Sequence, residues 1–105
     1  MKLLLFLQKL KKPSFPISFF RIEGNSMLPT IKPGQLAIVC KKIPKNPLNR
    51  LIIFENQGIL KIKRVIRIKG SDFWVLGDNR EFSQDSRHFG LVKKEDIKGS
   101  VIRII

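Results

Sequence analysis

Ser26 has the surroundings a nucleophile needs. It stands in Gly24-Asn25-Ser26-Met27-Leu28-Pro29-Thr30. Gly24 there permits a tight bend, and Pro29 denies the chain a continuing ladder partner. A serine hydroxyl needs a base before it can attack at neutral pH. His88 is the single histidine, and using it would demand a triad of Ser26, His88 and either Asp85 or Asp78. Lysine is the other option, because an amine taken out of water loses its charge and can accept a proton. The stretch Leu60-Lys61-Ile62-Lys63-Arg64-Val65-Ile66 offers Lys61 and Lys63. Strand alternation sets Leu60, Ile62, Ile66 and Ile68 on the apolar face and turns both lysines to solvent.

A third stretch runs Gly77-Asp78-Asn79-Arg80-Glu81-Phe82-Ser83-Gln84-Asp85-Ser86-Arg87-His88-Phe89-Gly90. Its ordinary explanation is a solvated turn. Its alternating carboxylates and guanidiniums also suit a loop cross-braced by ion pairs and Asx-type turns. Such a loop is costly beside a core unless it holds something in place.

These residues must be positioned by one domain, since the chain has 105 residues. Ile, Val and Phe are plentiful and Ala is scarce, which favours strands. The patterns predict strands over 18–23, 35–40, 50–55, 59–68, 73–76 and 100–105. Turns fall at Gly24-Asn25, Pro33-Gly34, Asn56-Gln57-Gly58 and Gly70-Ser71-Asp72, with a Pro- and Asn-rich loop over 41–49. Glu95-Asp96-Ile97 suits one helical turn. The expected fold is mostly β: a single small, twisted, partly closed antiparallel β domain over 21–105. A basic and apolar segment, 1–20, precedes it as a short helix or an extended stretch.

The formal net charge is +13. Residues 77–96 hold five of the eight acids against four bases, and the remainder holds 17 bases and three acids. That field favours anionic partners. A lone cysteine, Cys40, excludes a disulfide framework and a Cys-rich metal site; at the end of Leu36-Ala37-Ile38-Val39 it reads as a small hydrophobe. The apolar run Leu3–Leu7 is far too short to span a bilayer, and no small-residue cleavage site follows it. Residues 1–12 could dock on the domain or make a weak contact with a membrane surface through their lysines.

Taken in order, the three stretches resemble the signal peptidase I family of Ser-Lys peptidases. Gly24–Thr30 resembles the nucleophile box, Lys63-Arg64-Val65 the Lys-Arg box, and Gly77–Gly90 the last box. The resemblance implies an antiparallel β fold and a serine endopeptidase that needs no cofactor. It casts Ser26 as nucleophile and Lys63 as general base. Ser83 would orient the lysine, and Asp85 with Arg87 would brace the site, with Asp78 supporting. The oxyanion hole would be backbone, at Ser26 and Gly24. Gly24 stands where some members carry an oxyanion-donating serine. Asn49-Arg50 and the early Gly70-Ser71-Asp72 turn also depart from the family pattern.

The Gly-Asn-Ser-Met-Leu-Pro-Thr and Phe-Trp-Val-Leu-Gly-Asp-Asn runs are similar to the branch that matures nickel-type superoxide dismutases. That likeness implies a precursor protein as substrate and a cytoplasmic location. A minimal signal peptidase at the membrane surface, tethered by residues 1–12, is the alternative. A basic nucleic-acid-binding β-barrel would present aromatics on strands for base stacking. Here most Phe lie at 15–20 or in turns, so no nucleic acid partner is expected.

Overall fold

A computed structural model describes residues 16–105. Within them the chain forms six strands: β1 (Ile17–Arg21), β2 (Leu36–Cys40), β3 (Leu51–Asn56), β4 (Ile59–Lys69), β5 (Asp72–Leu76) and β6 (Ile97–Ile104). They make one antiparallel sheet in the order β1-β2-β6-β3-β4-β5. The expected strands are all present, the last beginning three residues earlier than its pattern suggested. The sheet does not close; β1 and β5 are its edges. The segment over 1–12, with its possible membrane contact, lies outside the described residues. Residues 17–20 belong to the sheet through β1.

The sheet carries apolar side chains on both faces. Phe20, Ile22, Met27, Ile31, Val39, Ile53 and Ile62 pack in one cluster. Ile52, Phe54, Val65, Phe73, Val75 and Val92 form the other. The centre of the sheet is therefore apolar on consecutive residues: Ile52, Ile53 and Phe54 of β3 are all buried. That is the signature of a strand covered on both sides.

β4 is the long element of the sheet. It pairs with β3 from Ile59 to Arg64 and with β5 from Arg64 to Lys69. Between Val65 and Arg67 its register with β5 shifts by a bulge, which breaks the alternation on which Ile66 and Ile68 had been assigned to the apolar face. Ile68 is indeed exposed. After β5 the chain makes a 3-10 turn (Arg80–Phe82), a short helix α1 (Ser86–Phe89) and a second 3-10 turn (Lys94–Asp96) before β6.

Candidate active site

The loop carrying Ser26 is anchored by its neighbours. Ile22, Met27 and Ile31 are buried in the first cluster, which ties down the chain on both sides of the serine. Turn hydrogen bonds from Leu28 N–H to Asn25 O (3.2 Å) and from Ile31 N–H to Met27 O (3.0 Å) set its curvature. Gly24 has φ +76°, and a Cβ there would meet nothing within 4 Å. Backbone conformation, not crowding, calls for glycine at this bend.

Lys63 is where alternation misleads. Its side chain is 5% exposed, not solvated, and its Nζ lies 2.7 Å from Ser26 Oγ. It pairs with Ile52 across β3 and shares its face with Val65, which is buried too. In a sheet covered on both sides a polar position in the strand pattern still points into protein. Burial pushes the Lys63 ammonium down from 10.5 to about 8; the like charge of Lys61 adds to this, and Asp85 opposes it. In the charged form the ammonium donates to the hydroxyl. In the neutral amine the contact reverses, and the hydroxyl donates to the nitrogen lone pair. His88 takes no part in it: its Nδ1 accepts from Asp85 N–H (3.2 Å) in the cap of α1.

The loop from Gly77 to Gly90 is braced as its composition suggested. Asp85 is fully buried. Its Oδ1 accepts from Arg87 Nε (2.9 Å), and its Oδ2 accepts from Arg87 Nη2 (3.0 Å), Gly77 N–H (2.9 Å) and Ser83 Oγ (2.8 Å). Burial would raise the Asp85 pKa, but Arg87, the Gly77 N–H and Ser83 together hold it well below the usual carboxylate range. Ser83 differs from expectation in one respect. Its hydroxyl proton goes to Asp85, and among the described residues no hydrogen bond joins it to Lys63. Ser83 sits on extended backbone two residues before the carboxylate, within reach of a charged acceptor for its proton.

This loop also grips the serine loop directly. Asn79 N–H donates to Ser26 O (2.9 Å), and Asn79 Nδ2 donates to Asn25 O (3.0 Å). A Cβ on Gly77 would come within 2.2 Å of Ser83 Oγ and 2.6 Å of Ser26 O. Gly77 is therefore where the chain leaving β5 passes close against both.

Ser26 N–H has no acceptor among the described residues, so it is a donor available to a bound oxyanion. Beside it lies a groove of about 590 Å³ between residues 20–26 and 58–63, lined by Phe20, Ile22, Ile53, Leu60 and Ile62 with Lys63. On the β5 side, Ile59–Lys63 has no strand partner among the described residues. An extended peptide in the groove can hydrogen-bond along that open stretch. The arrangement can bind a peptide, deprotonate a serine beside it and hold the resulting oxyanion. No group of three His, Cys, Asp or Glu that could hold a metal occurs among the described residues.

A family model described as signal peptidase, peptidase S26, matches residues 61–105. A signal peptidase I of Bacillus caldolyticus is 30% identical over a 142-residue alignment, which covers 83% of this chain and 78% of that protein. The chain belongs to the signal peptidase I family. As a member it is a serine-type peptidase acting on protein substrates.

Within the family frame, two further residues hold the three boxes together, and sequence reasoning gave them no role. Arg64, next to Lys63, donates from Nε to Asp78 Oδ1 (2.9 Å) and from Nη2 to Asp78 Oδ2 (2.7 Å). Thr30 Oγ1 donates to the same Oδ2 (2.5 Å). Asp78 thus ties the end of the nucleophile box to the Lys-Arg box. The Arg64 guanidinium holds the Asp78 pKa below the usual carboxylate value; burial opposes this, and the Thr30 hydroxyl adds a smaller lowering. Adjacency of Arg64 to Lys63 was the available signal, but only the folded chain supplies the partner.

Proposed function

We propose that Ser26 and Lys63 form a Ser-Lys dyad, and that the protein removes an N-terminal extension from a precursor protein. The observation that carries this reading is the 2.7 Å contact between a buried lysine and a serine hydroxyl, at the side of an apolar groove. A peptide lies extended along the open part of β4 with its scissile carbonyl at Ser26. Neutral Lys63 takes the hydroxyl proton as Oγ bonds to the carbonyl carbon. The oxyanion accepts from the Ser26 N–H, with the Gly24 bend shaping the backbone around it. As the C–N bond breaks, Lys63 returns the proton to the leaving amine. Water then attacks the ester carbon, losing a proton to Lys63, and Lys63 passes that proton to Ser26 Oγ as the acyl C–O bond breaks.

The substrate we propose is a nickel-type superoxide dismutase precursor, on the strength of the Gly24–Thr30 and Phe73–Asn79 runs, with the reaction taking place in the cytoplasm. A second reading, cleavage of secretory preproteins at the membrane surface, is favoured by the name of the Bacillus caldolyticus relative. No helix among the described residues is long and apolar enough to cross a membrane. Purified protein is incubated with each precursor, and the new N-terminus is sequenced. Wild type is expected to process the dismutase precursor, whereas Ser26→Ala and Lys63→Met leave it intact. Processing that survives either substitution would refute the dyad. Processing of the secretory preprotein alone, together with recovery of the protein in washed membranes, would select the second reading.

A further inference from the structure

At the end of β4 remote from the serine, the chain forms a different kind of surface. A cavity of about 730 Å³ opens there, walled by residues 41–47, the turn between β4 and β5, and the chain before β6. Lys41 N–H donates to Pro16 O (2.9 Å), and Ser100 Oγ donates to Lys42 O (3.1 Å). These bonds tie the first wall to the start of β1 and to β6. Phe73 and Val92 exchange a pair of backbone hydrogen bonds (2.9 and 2.8 Å), which brings the segment leading to Lys94 against β5. The cavity shares no lining residue with the groove beside Ser26. Lys63 and Ile68, both on β4, are separated by roughly 17 Å of strand.

Its charge is one-sided. Lys41, Lys42, Lys45 and Lys94 line it, all of them exposed, and among the described residues no Asp or Glu does. Ammonium groups gathered around one hollow repel one another, and an anion placed between them relieves that repulsion. The floor is apolar and recessed: Phe73 and Pro47 are buried, Ile43 and Pro44 are half-buried, and Ile68 is the exposed apolar residue of the lining. That shape selects among anions. A surface that docks on a bilayer pushes apolar side chains past the headgroups, whereas here most of the apolar floor lies behind the lysines. A protruding piece of polypeptide can enter the hollow, rest its apolar atoms on the floor and set its carboxylates against the rim. Residues 1–15 hold four lysines and no acid, so like charge opposes them as the occupant; a second copy, at +13, is opposed in the same way. We infer that this lysine-rimmed cavity is a docking site for an Asp- or Glu-rich segment of the precursor protein, set apart from the bond that is cut. Contacts so far from the reacting atoms hold substrate and transition state equally, so the site lowers KM and leaves kcat unchanged.

The inference names a substrate feature of the proposed peptidase and so rests on that reading; its test separates the two. The Ser26→Ala protein is titrated with two fluorescently labelled decapeptides, one carrying Glu at alternate positions and one carrying Gln in their place, and anisotropy gives Kd. Combining Lys42→Gln, Lys45→Gln and Lys94→Gln should weaken the Glu peptide about tenfold and leave the Gln peptide unchanged. Combining Lys32→Gln, Lys98→Gln and Arg103→Gln removes the same charge from exposed positions outside the cavity and should cost less than about twofold. All six side chains are exposed, so both triple variants should keep the wild-type thermal midpoint. Equal losses in the two variants, or no binding of the Glu peptide, overturn the inference. So does binding to phosphatidylglycerol vesicles that depends on the three cavity lysines more steeply than the Glu peptide does. In cleavage by the enzyme with Ser26 intact, the cavity variant should raise KM for the precursor severalfold at constant kcat, and a short peptide spanning the cut site should be unaffected. A precursor cut with unchanged KM overturns the docking site and leaves the dyad standing. Lysine-dependent binding of the Glu peptide, with neither precursor cut by wild type, refutes the dyad and leaves the docking site standing.

Discussion

Burial costs Lys63 much of its affinity for a proton, and this has consequences for both rate and stability. With a pKa of about 8, about one molecule in ten carries the neutral amine at pH 7. If Lys63 is the base, kcat/KM rises with pH and levels off above about 8. Lys61→Met removes a like charge that lowers the Lys63 pKa, so it should move that limb to higher pH and slow the reaction at pH 7. Asp85→Asn removes an opposing influence and should move the limb the other way. Rate profiles of the two variants measured side by side check both signs. For stability, the folded lysine binds its proton less tightly than the unfolded one. Unfolding free energy therefore rises with pH between about 8 and 10.5. Lys63→Met should stabilise the protein by roughly 2–3 kcal/mol at pH 7, with the gain fading as pH approaches the ordinary lysine value. Urea titrations at pH 7 and pH 10 measure it.

At the scale of elements, the loop between β5 and β6 works as a clamp on the serine loop. Gly77 is its tightest point, because a methyl group there would overlap Ser83 and the carbonyl of Ser26. Gly77→Ala should lower stability by about 1–3 kcal/mol, the usual cost of overpacking. It should also lower kcat more than it raises KM, because it displaces Ser26 while leaving the apolar groove in place. Asp85 is the clamp's electrostatic centre. Its folded pKa is depressed, so its contribution is full above the unfolded carboxylate value and is lost as pH falls below about 4. Asp85→Asn should cost roughly 2 kcal/mol at pH 7 and flatten that acid limb, which thermal melts between pH 3 and pH 7 would show. The Arg64–Asp78–Thr30 link plays the matching part between β4 and the nucleophile box.

For the molecule as a whole, charge is distributed unevenly. The acids gather in residues 77–96, where Asp85 and Asp78 are spent on internal braces. The rest of the surface is strongly positive, within a net charge of +13. Such a field speeds the approach of acidic partners and is screened by salt. The kcat/KM for a precursor of net negative charge should fall severalfold between about 0.05 and 0.5 M salt, while that for a short uncharged peptide stays nearly constant. Equal salt dependence for both would separate the charge from substrate capture.

Much of this protein can be read from its residues in order. The strands follow from runs of Ile, Val and Phe bounded by Gly, Pro and Asn, because these signals act within a few residues. The brace of Asp85 by Arg87 is equally local, since the partners are two residues apart and one turn brings them together. The three boxes named the family before any contact was known. What local patterns could not supply is the other side of each strand. Alternation put Lys63 in solvent because it describes one strand and cannot say that the opposite face is covered as well. Covering that face takes the second apolar cluster and the serine loop, which come from β3, β5 and residues 24–31. The same holds for Arg64 with Asp78, for Gly77 against Ser26, and for the Ser83 hydroxyl that turned to Asp85. Ser26 and Lys63 could be picked out as residues from the sequence alone, but their 2.7 Å contact, and the burial that lowers the lysine's pKa, exist only once the sheet brings distant segments together.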